Sequence, residues 1–141
     1  MKRGFRLPIA LALALVAAIA SAHAGTYSKT FLFKPGVDLE VGEDLGDGLR
    51  LDSLRFDVAG ESWGTLRAVA TVSNLGKAAK MFSLAVAVLD DGGRLLAAGN
   101  GGPKLFPLRA GRQGPFKVSL AGFGDGPAAA TQFKIAIYVS D

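Results

Sequence analysis

The sequence predicts an all-β protein, an antiparallel sandwich, and three observations carry that prediction. Apolar residues alternate with polar or small ones over several short runs. Gly-, Asn- and Asp-rich turn signals separate those runs at short intervals, as in "SNLGKA", "LDDGGR", "GNGGPK", "RAGRQG" and "GFGDGP". No long stretch has helical spacing, and many short alternating strands at such intervals build a sandwich of about seven strands.

A leader comes first. Lys2, Arg3 and Arg6 precede the apolar run "LPIALALALVAAIA", and "SAHA" supplies small residues at cleavage spacing. That is the pattern of a secretory signal peptide over 1–24, leaving one domain over 25–141. The run is shorter than the ~20 apolar residues of a membrane span, so no span is expected after cleavage. Cleavage after Ala20, Ala22 or Ala24 fits the small residues.

The strands follow in order. "TYSKTFLF" and "VDLEV" open the domain, and "GEDLGDG" (Gly42 to Gly48) reads as an acidic loop. Leu51, Leu54, Phe56 and Val58 form a strand, with Arg55 and Asp57 outward. "TLRAVATVS" puts Leu66, Ala68, Ala70 and Val72 on one face. "FSLAVAVL" puts Phe82, Leu84, Val86 and Val88 on one face and Ser83, Ala85 and Ala87 on the other. Small residues there predict a central strand, covered on both sides or tightly packed outside. Phe116, Val118 and Leu120 alternate with Lys117 and Ser119, and "QFKIAIYV" closes the domain. Pro103, Pro107 and Pro115 each remove a ladder donor and so mark edges or strand ends.

In "VLDDGGRLL" the chain must reverse within about four residues. Gly92 and Gly93 permit positive φ, and an Asp side chain caps turn amides, so a turn explains both aspartates. This stretch resembles the signature of FxLYD-type domains, with Val86, Val88, Leu89 and Asp90 at the positions of Phe, Leu, Tyr and Asp. "ATVSNLGKAAK" and "FPLRAGRQGPFKVSL" are similar to the stretches that flank it, so the likeness runs from about Ala68 to Leu120. The resemblance implies an Ig-like sandwich in a bacterial, extracytoplasmic setting and supplies no catalytic residues. The Ala- and Gly-rich composition also suggests a bacterial source.

Composition excludes much chemistry. The chain has no Cys, and its one His, His23, lies at the signal boundary. Triads built on imidazole or thiol, and structural zinc, therefore lack their ligands in the domain. No phosphate-cradling or dinucleotide loop is present, and no cofactor is expected. Three of the 16 basic residues lie in the leader, leaving 13 against 12 acidic ones. A near-neutral domain gives no electrostatic reason to expect nucleic acid. Stability must come from apolar burial, since no disulfide is available.

These readings point to a periplasmic or secreted binding or structural module that is not an enzyme. Its expected partner is a protein or a cell-envelope component. Trp63, beside Glu61 in "GESWGT", is the candidate contact; an indole in a loop either anchors a partner or folds back onto the sandwich. The alternative is a small metal-handling protein. Asp38, Glu40, Glu43, Asp44 and Asp47 supply hard oxygens for calcium, and cleavage after Ala20 would leave Ser-Ala-His, a copper-binding terminus.

Overall fold

The computed structural model describes residues 26–140. The leader, His23 and the cleavage sites lie outside the described residues. Nine strands form two antiparallel sheets. They are β1 (Thr26–Leu32), β2 (Leu39–Gly46), β3 (Leu49–Val58), β4 (Leu66–Asn74), β5 (Met81–Leu89), β6 (Leu95–Gly101), β7 (Gln113–Ser119), β8 (Ala121–Gly122) and β9 (Gln132–Ser140). One sheet has the order β1-β9-β5-β6-β8 and the other β2-β3-β4-β7. The chain passes between sheets so that β4 pairs with β7 and β5 with β9. Such interlocked connections are characteristic of sandwiches.

Alternation places the core as the sequence requires. Leu66, Ala68, Ala70 and Val72 of β4 are buried, as are Phe82, Leu84, Val86 and Val88 of β5 and Phe133, Ile135, Ile137 and Val139 of β9. In β3, Leu51 and Leu54 are both buried although three residues apart. A register shift between Leu51 and Ser53 makes this possible: the bulge adds one residue, Asp52, and restores the inward phase. Aromatic rings tie the sheets together near both ends. Phe56 meets Phe133 edge-on at 4.6 Å, and Phe82 meets Phe116 at 4.8 Å. Truncating a buried ring of this kind to Ala costs about 3–5 kcal/mol.

One edge closes by strand switching. β7 pairs with β4, then β8, after a single residue, pairs with β6 of the other sheet. Leu120 makes the corner, its amide donating to the Leu66 carbonyl at 3.2 Å. Glycines allow β6 to approach β7 backbone to backbone. A Cβ on Gly99 would lie 2.2 Å from the Ser119 carbonyl oxygen, and one on Gly101 2.9 Å from that of Lys117. The other edge is joined by an ion pair between Lys29 of β1 and Glu43 of β2. Tyr27 lies beside Glu43, and burial, then the neighbouring carboxylate, pushes its phenol pKa well up.

Three expectations are corrected. The segment Gly42–Gly48 is not a loop: most of it belongs to β2, and only Asp47 and Gly48 form the turn into β3. Positive φ at Gly46, Asp47 and Gly48 makes that reversal tight. Among the described residues the count is nine strands rather than about seven, because β6 is read in sequence only as the return from the "LDDGGR" turn and β8 has two residues. β5 is central, but its outer face is not covered: Ser83 and Ala85 are exposed.

The bulge also builds a polar brace. Asp52 accepts from Arg50 Nε at 2.6 Å, from Gln113 Nε2 at 2.8 Å and from Ser73 Oγ, so one carboxylate links β3, β4 and β7. Burial alone would raise the Asp52 pKa, but the bonds from Ser73, Gln113 and Arg50 outweigh it and hold the carboxyl below its ordinary value. A depressed folded-state pKa gives stability that is present above the unfolded value and lost as pH falls through the folded one. The wild-type melting temperature should therefore drop on acidification below about pH 4. Asp52→Asn should melt lower at neutral pH and show a shallower acid limb in a pH series of thermal melts. Parallel curves for the two proteins would contradict this.

Candidate binding surface at one end of the sandwich

The topology gathers three connections at one end: the β2–β3 turn (47–48), the β4–β5 loop (75–80) and the β6–β7 loop (102–112). β1 begins and β9 ends there too. The structure's most exposed large apolar side chains include Leu105 at 85%, Phe106 at 79% and Leu75 at 64%, all on these loops. Single exposed apolar residues need no explanation; several on neighbouring loops make a candidate contact surface, and the opposite end also exposes Leu32, Val37 and Phe123. Pro103 and Pro107 bracket Lys104, Leu105 and Phe106, restricting the backbone at both sides of the tip.

Asn74, at the end of β4, holds this cluster together. It is completely buried. Its Nδ2 donates to the Ala78 and Leu108 carbonyls, each at 2.8 Å, and its Oδ1 accepts from the Gly76 amide at 3.0 Å. Its own amide donates to the Arg112 carbonyl, and its carbonyl accepts from the Gly111 amide, both at 2.8 Å. One side chain thus joins the start of β4–β5 to the return of β6–β7. Lys80 and Leu108 add a two-way backbone bridge at 2.9 Å. The β2–β3 turn is seated by the Leu75 amide on the Gly48 carbonyl at 2.7 Å. Gly48 must be glycine here: its φ is +85°, and a Cβ would lie 2.6 Å from the Gly76 Cα.

Charge is divided between the two ends. The loops of this end carry Lys77, Lys80, Lys104, Arg109 and Arg112 against Asp47, which approaches Lys80 at 3.9 Å. The opposite end carries Asp38, Glu61, Asp90, Asp91 and Asp125 against Lys34 and Arg94. That far end holds the turn read from "LDDGGR". Asp90 Oδ1 accepts from the amides of Gly92 at 3.0 Å and Arg94 at 2.8 Å, so this aspartate caps the reversal.

Trp63 and Glu61 also sit at the far end, away from the exposed loop cluster. Trp63 is 7% exposed and presents no open ring for a partner. It lies over Gly122, where a Cβ would fall 1.9 Å from the indole Cγ, and its Nε1 donates to the Asp125 carbonyl. The indole therefore caps the core, the second of the two roles open to it. Glu61 is exposed beside it, its carbonyl packed against Gly126. A groove of about 390 Å³ opens next to this loop, with Arg55, Arg67 and Lys117 on its walls.

The acidic residues do not converge. Glu43 pairs with Lys29, Asp38 reaches Arg55 at 3.7 Å, and Asp47 faces Lys80. Asp44 Oδ1 accepts from the Gly46 amide at 2.9 Å, and Glu40 is exposed on β2. Among the described residues, no group of three or more His, Cys, Asp or Glu comes together. The strand spacing explains this, because side chains along β2 alternate between faces. Among the described residues, no helix is long and apolar enough to cross a membrane.

Sequence reasoning missed the Leu75, Leu105 and Phe106 cluster. The available signal was "PKLFPLR", an apolar pair held between prolines and flanked by cations. No protein-family model matches this chain, and no curated protein or solved structure matches it.

Removing the Asn74 amide would leave two carbonyls and one amide without their bonds. Asn74→Ala should cost about 3 kcal/mol and lower the melting temperature by about 10 °C. Asn74→Asp, which removes both donors and buries a charge, should be no better tolerated. Denaturant titration of both variants checks this; wild-type midpoints would contradict the role given to Asn74.

Proposed function

We propose that this protein is an extracytoplasmic, non-catalytic binding module that engages a component of the cell envelope through the loop end bearing Leu75, Leu105 and Phe106. The observation that carries the reading is the exposure of those three side chains on loops anchored by a fully bonded, buried Asn74. Apolar side chains held open to water at a defined place are a standing free-energy cost unless a partner covers them. Anchored loops also lose less conformational entropy on binding than free ones. The leader pattern at 1–24 and the resemblance to FxLYD-type domains support the location. The exclusion of imidazole and thiol chemistry by composition supports a non-catalytic role.

A photo-crosslinking residue placed at Phe106 in secreting cells tests this. It should give reproducible adducts with an envelope component, protein or lipid. The same residue at Phe123, exposed at the opposite end, should give none. Adducts from Phe123 and none from Phe106 would place the contact elsewhere and reject the reading.

A further inference from the structure

We infer that the partner of this loop end is an anionic lipid bilayer surface, an inference that rests on the contact surface proposed above. Three observations lead there. The exposed tip is apolar and small: Leu105 and Phe106 project between Pro103 and Pro107, with Leu75 on the neighbouring loop. The loops of this end carry five cations, Lys77, Lys80, Lys104, Arg109 and Arg112. Among the described residues, the acids beside these loops are Asp47, engaged with Lys80, and Asp44, which caps the Gly46 amide. The loops of the far end carry more acids than cations, although Arg55, Arg67 and Lys117 line the groove beside them.

This combination matches the chemistry of a headgroup layer. Two apolar side chains can enter the boundary between headgroups and acyl chains, while lysine and arginine remain among the phosphates. Neither signal suffices alone. A short apolar tip binds weakly, and a basic patch alone is screened by salt; together they give reversible, salt-sensitive attachment. A protein groove would ask for a shaped complement to the tip. Long cationic side chains on the same loops as two apolar residues suit a fluid anionic plane better.

The test is sedimentation of the purified secreted protein with vesicles. One set contains phosphatidylethanolamine and phosphatidylglycerol, the other phosphatidylcholine alone. The protein should sediment with the first set at low salt, be released by high salt, and ignore the second. Leu105→Ser with Phe106→Ser should weaken partitioning about tenfold or more. Lys104→Gln with Arg109→Gln should weaken it about tenfold as well. Phe123→Ser, at the far end, should bind as wild type does. Every protein should give the wild-type melting temperature, since these side chains are exposed. Absence of binding to the anionic vesicles, equal binding to both sets, or tip variants that bind like wild type would overturn the inference. If the vesicles stay bare while the crosslinker at Phe106 captures one protein, the contact surface stands and the bilayer is rejected. If neither captures anything, both readings fall.

Discussion

The buried amide of Asn74 is the constraint on which the loop end proposed as the contact surface depends. A sandwich core orders its strands by apolar burial, but the loops between strands must find other bonds. Here the Asn74 side chain supplies two donors and one acceptor to backbone groups of two different loops, and its backbone supplies one more of each. Every donor of the residue is used and each of its oxygens accepts a bond, so burial of its polar atoms is offset. Loops that would otherwise fray are tied to the last residue of a central strand. That is how Leu105 and Phe106 stand in water on a fixed base.

The two edges of the sandwich solve a different problem. Open sheet edges invite pairing with other chains. One edge is closed covalently, where β7 continues into β8 in the opposite sheet and Gly99 and Gly101 let the backbones approach. Trp63 then seals the corner by lying on Gly122. The other edge relies on the pairing of Lys29 with Glu43, an exposed ion pair of small energetic value. Its role is to occupy the edge with charge rather than to stabilise the fold.

Much of this was legible in the sequence where a strand lies between two neighbours. β4, β5 and β9 each bury alternate residues, and their pattern could be read directly. The turn at Asp90 was legible because its chemistry is local. The second half of β2 was hidden because it is an edge strand, where Asp44 points to solvent and Glu43 to an ion pair with Lys29, so the run imitates a loop. The acidic cluster dissolved for the same reason: residues close in sequence on a strand alternate in space and found separate partners. Trp63 was ambiguous because its burial depends on Gly122, far along the chain. The loop cluster was invisible because Leu75 and Phe106 share an end only through the order of strands, which periodicity does not specify.

Hydrogen exchange read by amide tests the central claim most directly. Asn74 makes an ordered base, and the tip beyond it stands free in water. The amides of Gly76 and Gly111, both bonded to Asn74, should exchange slowly, near the rate of the core strands. Those of Leu105 and Phe106 should exchange fast. If Gly76 and Gly111 exchange as freely as the tip, Asn74 does not anchor these loops, and the exposed apolar cluster has no fixed base to stand on.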